Sequence, residues 1–293
     1  MSNIVLVAET GSDIPVDIAK HYGIHLVPMH VSFGETTLDD GTFPIDKIYS
    51  YYEETGHIPT TSGCSPGDFQ KVFDEIHARW PEKHILHLAY SAVTTVSYQS
   101  ALLAAADRDY VTSIDTKHVS VGQAAIVIQL AQVLEADPEL SLEAAIDLTN
   151  QFSNDARMAF LPDNLAYLRA GGRVSNVVYM GSRLLHIHPT IEILDGRLIA
   201  TTKRRGKLTK IVPRMIREYS QSQRLGKEKL YLIWSPGLKE EVKKAAEEEA
   251  KQCGFEKLIW MQTGCVITTH GGPGVFGIVG FSHKDFDWNT EAD

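Results

Sequence analysis

Three hydroxyl side chains, Thr60, Thr61 and Ser62, stand together in Pro59-Thr-Thr-Ser-Gly-Cys-Ser-Pro-Gly-Asp-Phe69, just ahead of a helix start signal. Hydroxyls beside free backbone amides suit a carboxylate or a phosphate. A second hydroxyl-rich stretch, Ser91-Ala-Val-Thr-Thr-Val-Ser-Tyr-Gln-Ser-Ala101, includes Thr94 and Thr95. It follows a strand-like run and precedes a helix, so it falls at the carboxyl end of a strand, where open α/β sheets bind ligands. Helix capping alone accounts for either cluster equally well. Arg173 leaves the turn Gly171-Gly172 as a candidate anion ligand, because the two glycines can end a helix in the left-handed region. His270 is presented by the sharp turn His270-Gly-Gly-Pro-Gly274.

Three other motifs point to chemistry the chain does not support. Gly63-Cys-Ser-Pro-Gly67 fits the nucleophile elbow of hydrolases. That elbow needs a backbone N–H after the serine, and Pro66 has none. No strand is expected to run into it. Ser65 reads instead as a helix N-cap, with Pro66 at the first helical position and Asp68 completing a capping box. Gly272-Pro-Gly-Val-Phe-Gly277 fits a dinucleotide fingerprint, but a strand-like run follows it where a helix is required. His186-Ile-His188 places two imidazoles on one strand face without further ligands nearby, so no metal site and no cofactor is expected.

The elements that must position these residues alternate between strand and helix. Ile4–Ala8, Ile24–Phe33, His84–Ala89 and Val111–Asp115 read as strands. A polar turn is expected over Gly34–Gly41. Helices are expected from Ser12 to about His21 and over Pro44–Glu54, Tyr98–Ala106, Ser120–Leu134 and Leu142–Met158. Such alternation implies crossover connections and a mainly parallel sheet. Beyond about residue 158 the rhythm changes. Asn164–Ala170 reads as a short helix, and His186–Leu194 and Arg197–Thr202 are strands joined by the hairpin dipeptide Asp195-Gly196. Further helices at Ile211–Gln221 and Lys239–Lys251 alternate with strands at Leu230–Trp234, Lys257–Gln262 and Val275–Phe281. The expectation is an α/β protein of two domains: a mainly parallel domain over 1–157 and a mixed-sheet domain over 158–293.

Composition narrows the partners. The 293 residues carry a formal charge of −9, with 43% apolar and 22% charged residues, as in ordinary globular proteins. An acidic balance argues against nucleic acid, whose binding requires clustered Lys and Arg. Residues 1–13 lack the basic start of a signal peptide, and Ala124–Leu134 is too short and too interrupted to span a bilayer. Three cysteines without CxxC spacing point to reduced thiols in a cytoplasm. The basic concentration Lys203-Arg-Arg-Gly-Lys207, with Lys210, Arg214 and Arg217, is either solvated surface, a docking face for an acidic partner, or a transient contact with anionic membrane.

Taken in order, seven segments resemble motifs of the DegV family of fatty-acid-binding proteins, also called FakB. They are Glu9–Pro15, Pro59–Phe69, Ser91–Ala101, Leu165–Val174, His188–Ile191, Lys203–Gly206 and His270–Gly274. Two depart from the family pattern: Gly63-Cys64-Ser65 replaces QPS, and Val93 and Val96 stand where the second motif has glycines. The resemblance implies a two-domain DegV-type fold with a long-chain fatty acid in an apolar tunnel. It implies that Thr61, Ser62, Thr94 or Thr95, Arg173 and His270 hold the head group. It further implies a partner fatty acid kinase that phosphorylates the bound carboxylate, with the acyl phosphate feeding phospholipid synthesis. Lys203, Arg204 and Arg205 are the expected docking residues. The chain is then a lipid-binding subunit rather than an enzyme. The alternatives are a hydrolase or acyl transferase using a Ser or Thr with His270 and an acid such as Asp115, or a binder of another amphipathic anion.

Overall fold

The computed structural model describes residues 2–174 and 187–282. The chain opens with β1 (Ile4–Glu9), six buried residues, and passes through a 3-10 turn at Thr10–Ser12 to α1 (Val16–Tyr22), which Gly23 ends in the left-handed region. The expected single strand Ile24–Phe33 is two strands, β2 (His25–Val27) and β3 (His30–Phe33), in different sheets. Pro28, which has no N–H to give a ladder, stands between them. The expected turn Gly34–Gly41 contains another strand, β4 (Thr36–Asp39). Its side chains are largely exposed, so it carries no apolar alternation to read. After α2 (Asp46–Thr55), β5 (Thr60–Ser62) joins β3 and β4 in a small antiparallel sheet ordered β4-β3-β5. A strand therefore does run into Gly63–Ser65, contrary to expectation. The capping reading of Ser65 holds nonetheless: α3 (Pro66–Arg79) begins with Pro66 and a complete Ser65–Asp68 capping box.

β6 (His84–Ala89), α4 (Ser97–Ala105), β7 (Val111–Asp115), α5 (Ser120–Ala136) and α6 (Leu142–Asp155) follow. Strands β2-β1-β6-β7 form a parallel sheet. The helix expected over Leu142–Met158 stops at Asp155, and Ala156–Leu161 is a strand, β8. Nothing in Asp155-Ala-Arg-Met punctuates the change; pairing with a later strand decides it. Next come α7 (Leu165–Gly171), β9 (Ile187–Leu194), β10 (Arg197–Arg205), α8 (Leu208–Ser222), β11 (Lys229–Trp234), α9 (Glu240–Gln252) and β12 (Lys257–Gln262). Cys265–Gly271 is a further helix, α10, and β13 (Phe276–Phe281) completes the second sheet. That sheet is mixed, ordered β10-β9-β8-β13-β11-β12. Both hairpin residues between β9 and β10 take positive φ, 47° at Asp195 and 76° at Gly196, as their types anticipate. His186 lies outside the described residues.

Helix α5 joins the two sheets. Twelve of its 17 residues are buried, and it packs against β1 and β6 on one side and β8, β11 and β13 on the other. A helix apolar all round belongs inside a core rather than on a surface. One contiguous core accordingly runs from β1 to β13. A second cluster, around Met215, Leu232 and Phe276, fills the space under α8 and α9.

Two buried carboxylates tie the halves together. Asp13 accepts from the Gly264 backbone N–H at 2.6 Å and from Ser120 Oγ at 2.5 Å. Asp40 accepts from the backbone N–H groups of Cys265 and Val266 at 3.0 and 3.3 Å. The start of α10 thus receives its caps from the first half of the chain, which is how so β-branched a run as Cys265-Val-Ile-Thr-Thr becomes helical. Burial pushes both carboxyls above the usual carboxylate range, against the hydrogen bonds that favour the charged form.

Candidate functional site: an apolar cavity with a polar mouth

The sequence-predicted hydroxyls, the arginine and the histidine surround one cavity. Its space, counted out to the open mouth, is about 850 Å³. Met29, Val119, Met158, Phe160, Ile233 and Val266 supply apolar wall, drawn from both halves of the fold. Thr61, Ser62, Thr94, Thr95, Arg173 and His270 all line it.

The polar end is built from four segments. β5 carries Thr61 and Ser62 into register opposite Val31 and His30 of β3. α10 presents His270 in its last turn; the expected sharp turn begins only after Gly271. Thr61 Oγ1 and His270 Nε2 lie 2.7 Å apart. The other ring nitrogen, Nδ1, is buried without a hydrogen-bond partner. It is crowded by the backbone of Gly171, where an added Cβ would lie 2.1 Å from it. Gly171 is therefore needed for close approach of α7 to α10, while Gly172, at φ 63°, makes the left-handed exit. Arg173 emerges exposed and folds its guanidinium back, Nη1 donating to Gly171 O at 2.8 Å.

Electrostatics give these groups different tasks. The protein around His270 pushes its pKa down to about 4, with the Arg173 charge adding to the effect. The imidazole is neutral at pH 7. Arg173 supplies the positive charge at this end of the cavity, and Thr61 and His270 supply oriented dipoles.

The loop at the carboxyl end of β6 forms another wall. Tyr90 N–H donates to Glu9 Oε2 at 3.0 Å, and Gln123 Nε2 donates to the same oxygen at 2.7 Å. Thr94 Oγ1 donates to Ser91 O at 2.9 Å, so its hydrogen is committed within the loop. Thr95 Oγ1 pairs with Ser97 Oγ at 3.1 Å; the two hydroxyls share one bond and retain one hydrogen. This loop meets β5 at Gly63, where a Cβ would lie 2.2 Å from Thr95 Oγ1 and 2.5 Å from Ser97 Oγ. The hairpin tip closes over the same loop: Ser91 Oγ donates to Gly196 O at 2.8 Å, and Lys117 pairs with Asp195 at 3.3 Å.

The basic segment lies elsewhere, on β10. Arg204 turns inward, donating from Nε to Thr190 Oγ1 at 2.8 Å and from Nη1 to Glu218 at 2.7 Å. Lys203 and Arg205, on the alternate face, are exposed. Residues the sequence reading did not single out also line the cavity: Tyr90, Ser120, Thr263 and Thr268. Their only local signal is a hydroxyl in an apolar context, which a cap or a core threonine shares. Among the described residues, no group of acids, histidines and cysteines is arranged to hold a metal ion, and no helix is long and apolar enough to cross a membrane.

Two α/β halves thus enclose a largely apolar cavity with hydroxyls, a neutral histidine and an arginine at its polar end. Residues 3–283 match the model described as "Uncharacterised protein, DegV family", and the chain belongs to that family. It is 28% identical over 284 residues to a DegV domain-containing protein of Caldanaerobacter subterraneus, covering 95% of this chain and 98% of the relative. Its fold is similar to that of a fatty-acid-binding DegV family protein of Thermus thermophilus, with a TM-score of 0.85, 28% identity, and 96% and 99% of the two chains covered. A DegV lipid-binding protein of Thermotoga maritima is similar at a TM-score of 0.81 and 26% identity, with 97% and 100% covered.

Proposed function

We propose that this protein binds a long-chain fatty acid in the cavity and presents its carboxylate at the mouth to a partner fatty acid kinase. The observation that carries the reading is the Thr61–His270 pair at 2.7 Å, set at the polar end of a largely apolar cavity that Arg173 also lines. A carboxylate there would take hydrogen bonds from Thr61, Ser62 and the Thr95–Ser97 pair, and charge from Arg173. Thr94 contributes as a positioning hydroxyl. Burying the tail supplies the affinity: at roughly 0.8 kcal/mol per methylene, a sixteen-carbon chain provides about 10 kcal/mol before ordering costs. The buried head group requires donors, or it protonates instead.

In this reading the protein is a carrier and performs no bond chemistry. The kinase transfers the terminal phosphoryl group of ATP to the carboxylate, giving an acyl phosphate and ADP, and the acyl phosphate enters phospholipid synthesis in the cytoplasm. Exposed Lys203 and Arg205 suit an acidic docking face on the kinase or a passing contact with anionic lipid, and Arg204 holds β10 beneath them.

The test is direct titration of delipidated protein with octadecanoate and with octadecanol. The acid is expected to bind and the alcohol to bind at least tenfold more weakly. Equal binding would remove the carboxylate from the account, and no binding of either would overturn it.

A further inference from the structure

The cavity has a second polar patch, distinct from the mouth. Ser120, Thr263 and Thr268 line it, and all three are buried. Asp13 links Ser120 to the start of α10: its Oδ2 accepts from Ser120 Oγ, while Oδ1 accepts from the N–H of Gly264, the neighbour of Thr263. Thr263 Oγ1 and Thr268 Oγ1 lie 2.8 Å apart.

Counting hydrogens shows what the patch presents. The two threonine hydroxyls own two hydrogens and use one between them, so one O–H is free to donate. Ser120 has given its hydrogen to Asp13 and can only accept. The backbone here is also strained, with φ of 61° at Asp13 and 50° at Ser120, neither a glycine. A buried donor left unmade is costly, and a saturated chain passing this wall offers it no acceptor. A hydroxyl group both accepts and donates, and it meets both needs at once.

We propose that the preferred ligand is a fatty acid bearing a hydroxyl group on its chain, held by the Thr263–Thr268 pair and by Ser120. This inference rests on the carrier reading and refines its ligand. Thr268 lies two residues before His270 on α10, a rise of about 3 Å along the helix axis. The patch therefore meets the carboxyl-proximal part of the chain.

The experiment compares octadecanoate with its 3-, 6-, 8- and 12-hydroxy isomers on delipidated protein, using the unaltered chain and the double variant Thr263→Val, Thr268→Val. Valine keeps the shape and removes both hydroxyls. At least one of the 3-, 6- and 8-hydroxy isomers is expected to bind roughly three- to tenfold tighter than octadecanoate. In the double variant the ratio of hydroxy-acid to octadecanoate affinity should fall to about one. If octadecanoate binds and none of these three isomers exceeds it, this inference fails and the carrier reading stands. A preference that survives in a folded double variant also overturns it. If neither octadecanoate nor any isomer binds, both fall. The isomer series on the unaltered chain decides by itself should the variant fail to fold.

Discussion

Thr61 Oγ1 and His270 Nε2 stand 2.7 Å apart although 209 positions separate them in the chain. The pair joins β5 to the last turn of α10, and with Arg173 it sets the polar end of the cavity. Replacing Thr61 by Val keeps the shape and removes the hydroxyl. The expected result is a 10- to 100-fold rise in the Kd for octadecanoate, the loss of a hydrogen bond to a charged group, about 1.5–3 kcal/mol. Calorimetric titration checks it, and an unchanged Kd would place the head group elsewhere.

Gly63 is where the two hydroxyl loops touch. Gly63→Ala drives a methyl group against Thr95 Oγ1 and Ser97 Oγ, at built distances of 2.2 and 2.5 Å. Overpacking of this kind costs about 1–3 kcal/mol. Thermal unfolding should shift down by several degrees, and fatty acid affinity should fall as well, because the displaced loop carries Thr95.

The buried histidines predict acid sensitivity. His270 and His118 are both pushed down to about 4 by burial, from an ordinary value of 6.5. The unfolded chain therefore binds more protons than the folded one between these values. The stability due to each histidine is present above pH 6.5 and is lost as pH falls toward 4. Asp13, raised by burial, acts in the opposite sense: its contribution is present at low pH and is lost as pH rises through its folded value. Asp40 is raised by burial too, but burial also lowers His25 and His84, so four histidines against two aspartates should leave a net fall in stability from pH 6.5 toward 4. Denaturant unfolding at steps across that range measures it. His270→Gln, which cannot be protonated there, should flatten the slope by one proton.

The basic strand separates two roles. Under the proposed kinase partnership, Arg205→Glu and Lys203→Glu should lower phosphorylation of bound fatty acid while leaving the Kd for the acid unchanged. Arg204→Ala should lower the unfolding temperature, because Arg204 is tied to Thr190 and Glu218. Kinase assays beside thermal unfolding distinguish the two, and an Arg205→Glu protein that is phosphorylated normally would remove this face from the docking account.

Much of this is legible before any coordinates. His84–Ala89 is a strand with the same limits in both readings, because a fully buried parallel strand is a short unbroken apolar run. Asp195-Gly196 and the Ser65–Asp68 cap are local chemistry, fixed by a few adjacent residues. What the sequence hides is non-local. β8 exists because β13 pairs with Ala156–Leu161, and α10 exists because Asp13 and Asp40 cap it from more than 200 residues away. The candidate head-group residues are legible through motif order, not through any visible neighbourhood of Thr61 and His270. Ser120, Thr263 and Thr268 had no such guide, since isolated hydroxyls in apolar runs look alike whether they cap, pack or bind.

The central claim is that the cavity is built for a fatty acid, and native mass spectrometry of the protein purified from cells, followed by solvent extraction, tests it most directly. A bound mass in the range of a long-chain fatty acid carrying a hydroxyl group is the expected result, with loading reduced in Thr61→Val. A protein that emerges empty and takes up neither octadecanoate nor its hydroxy isomers after delipidation would contradict the account.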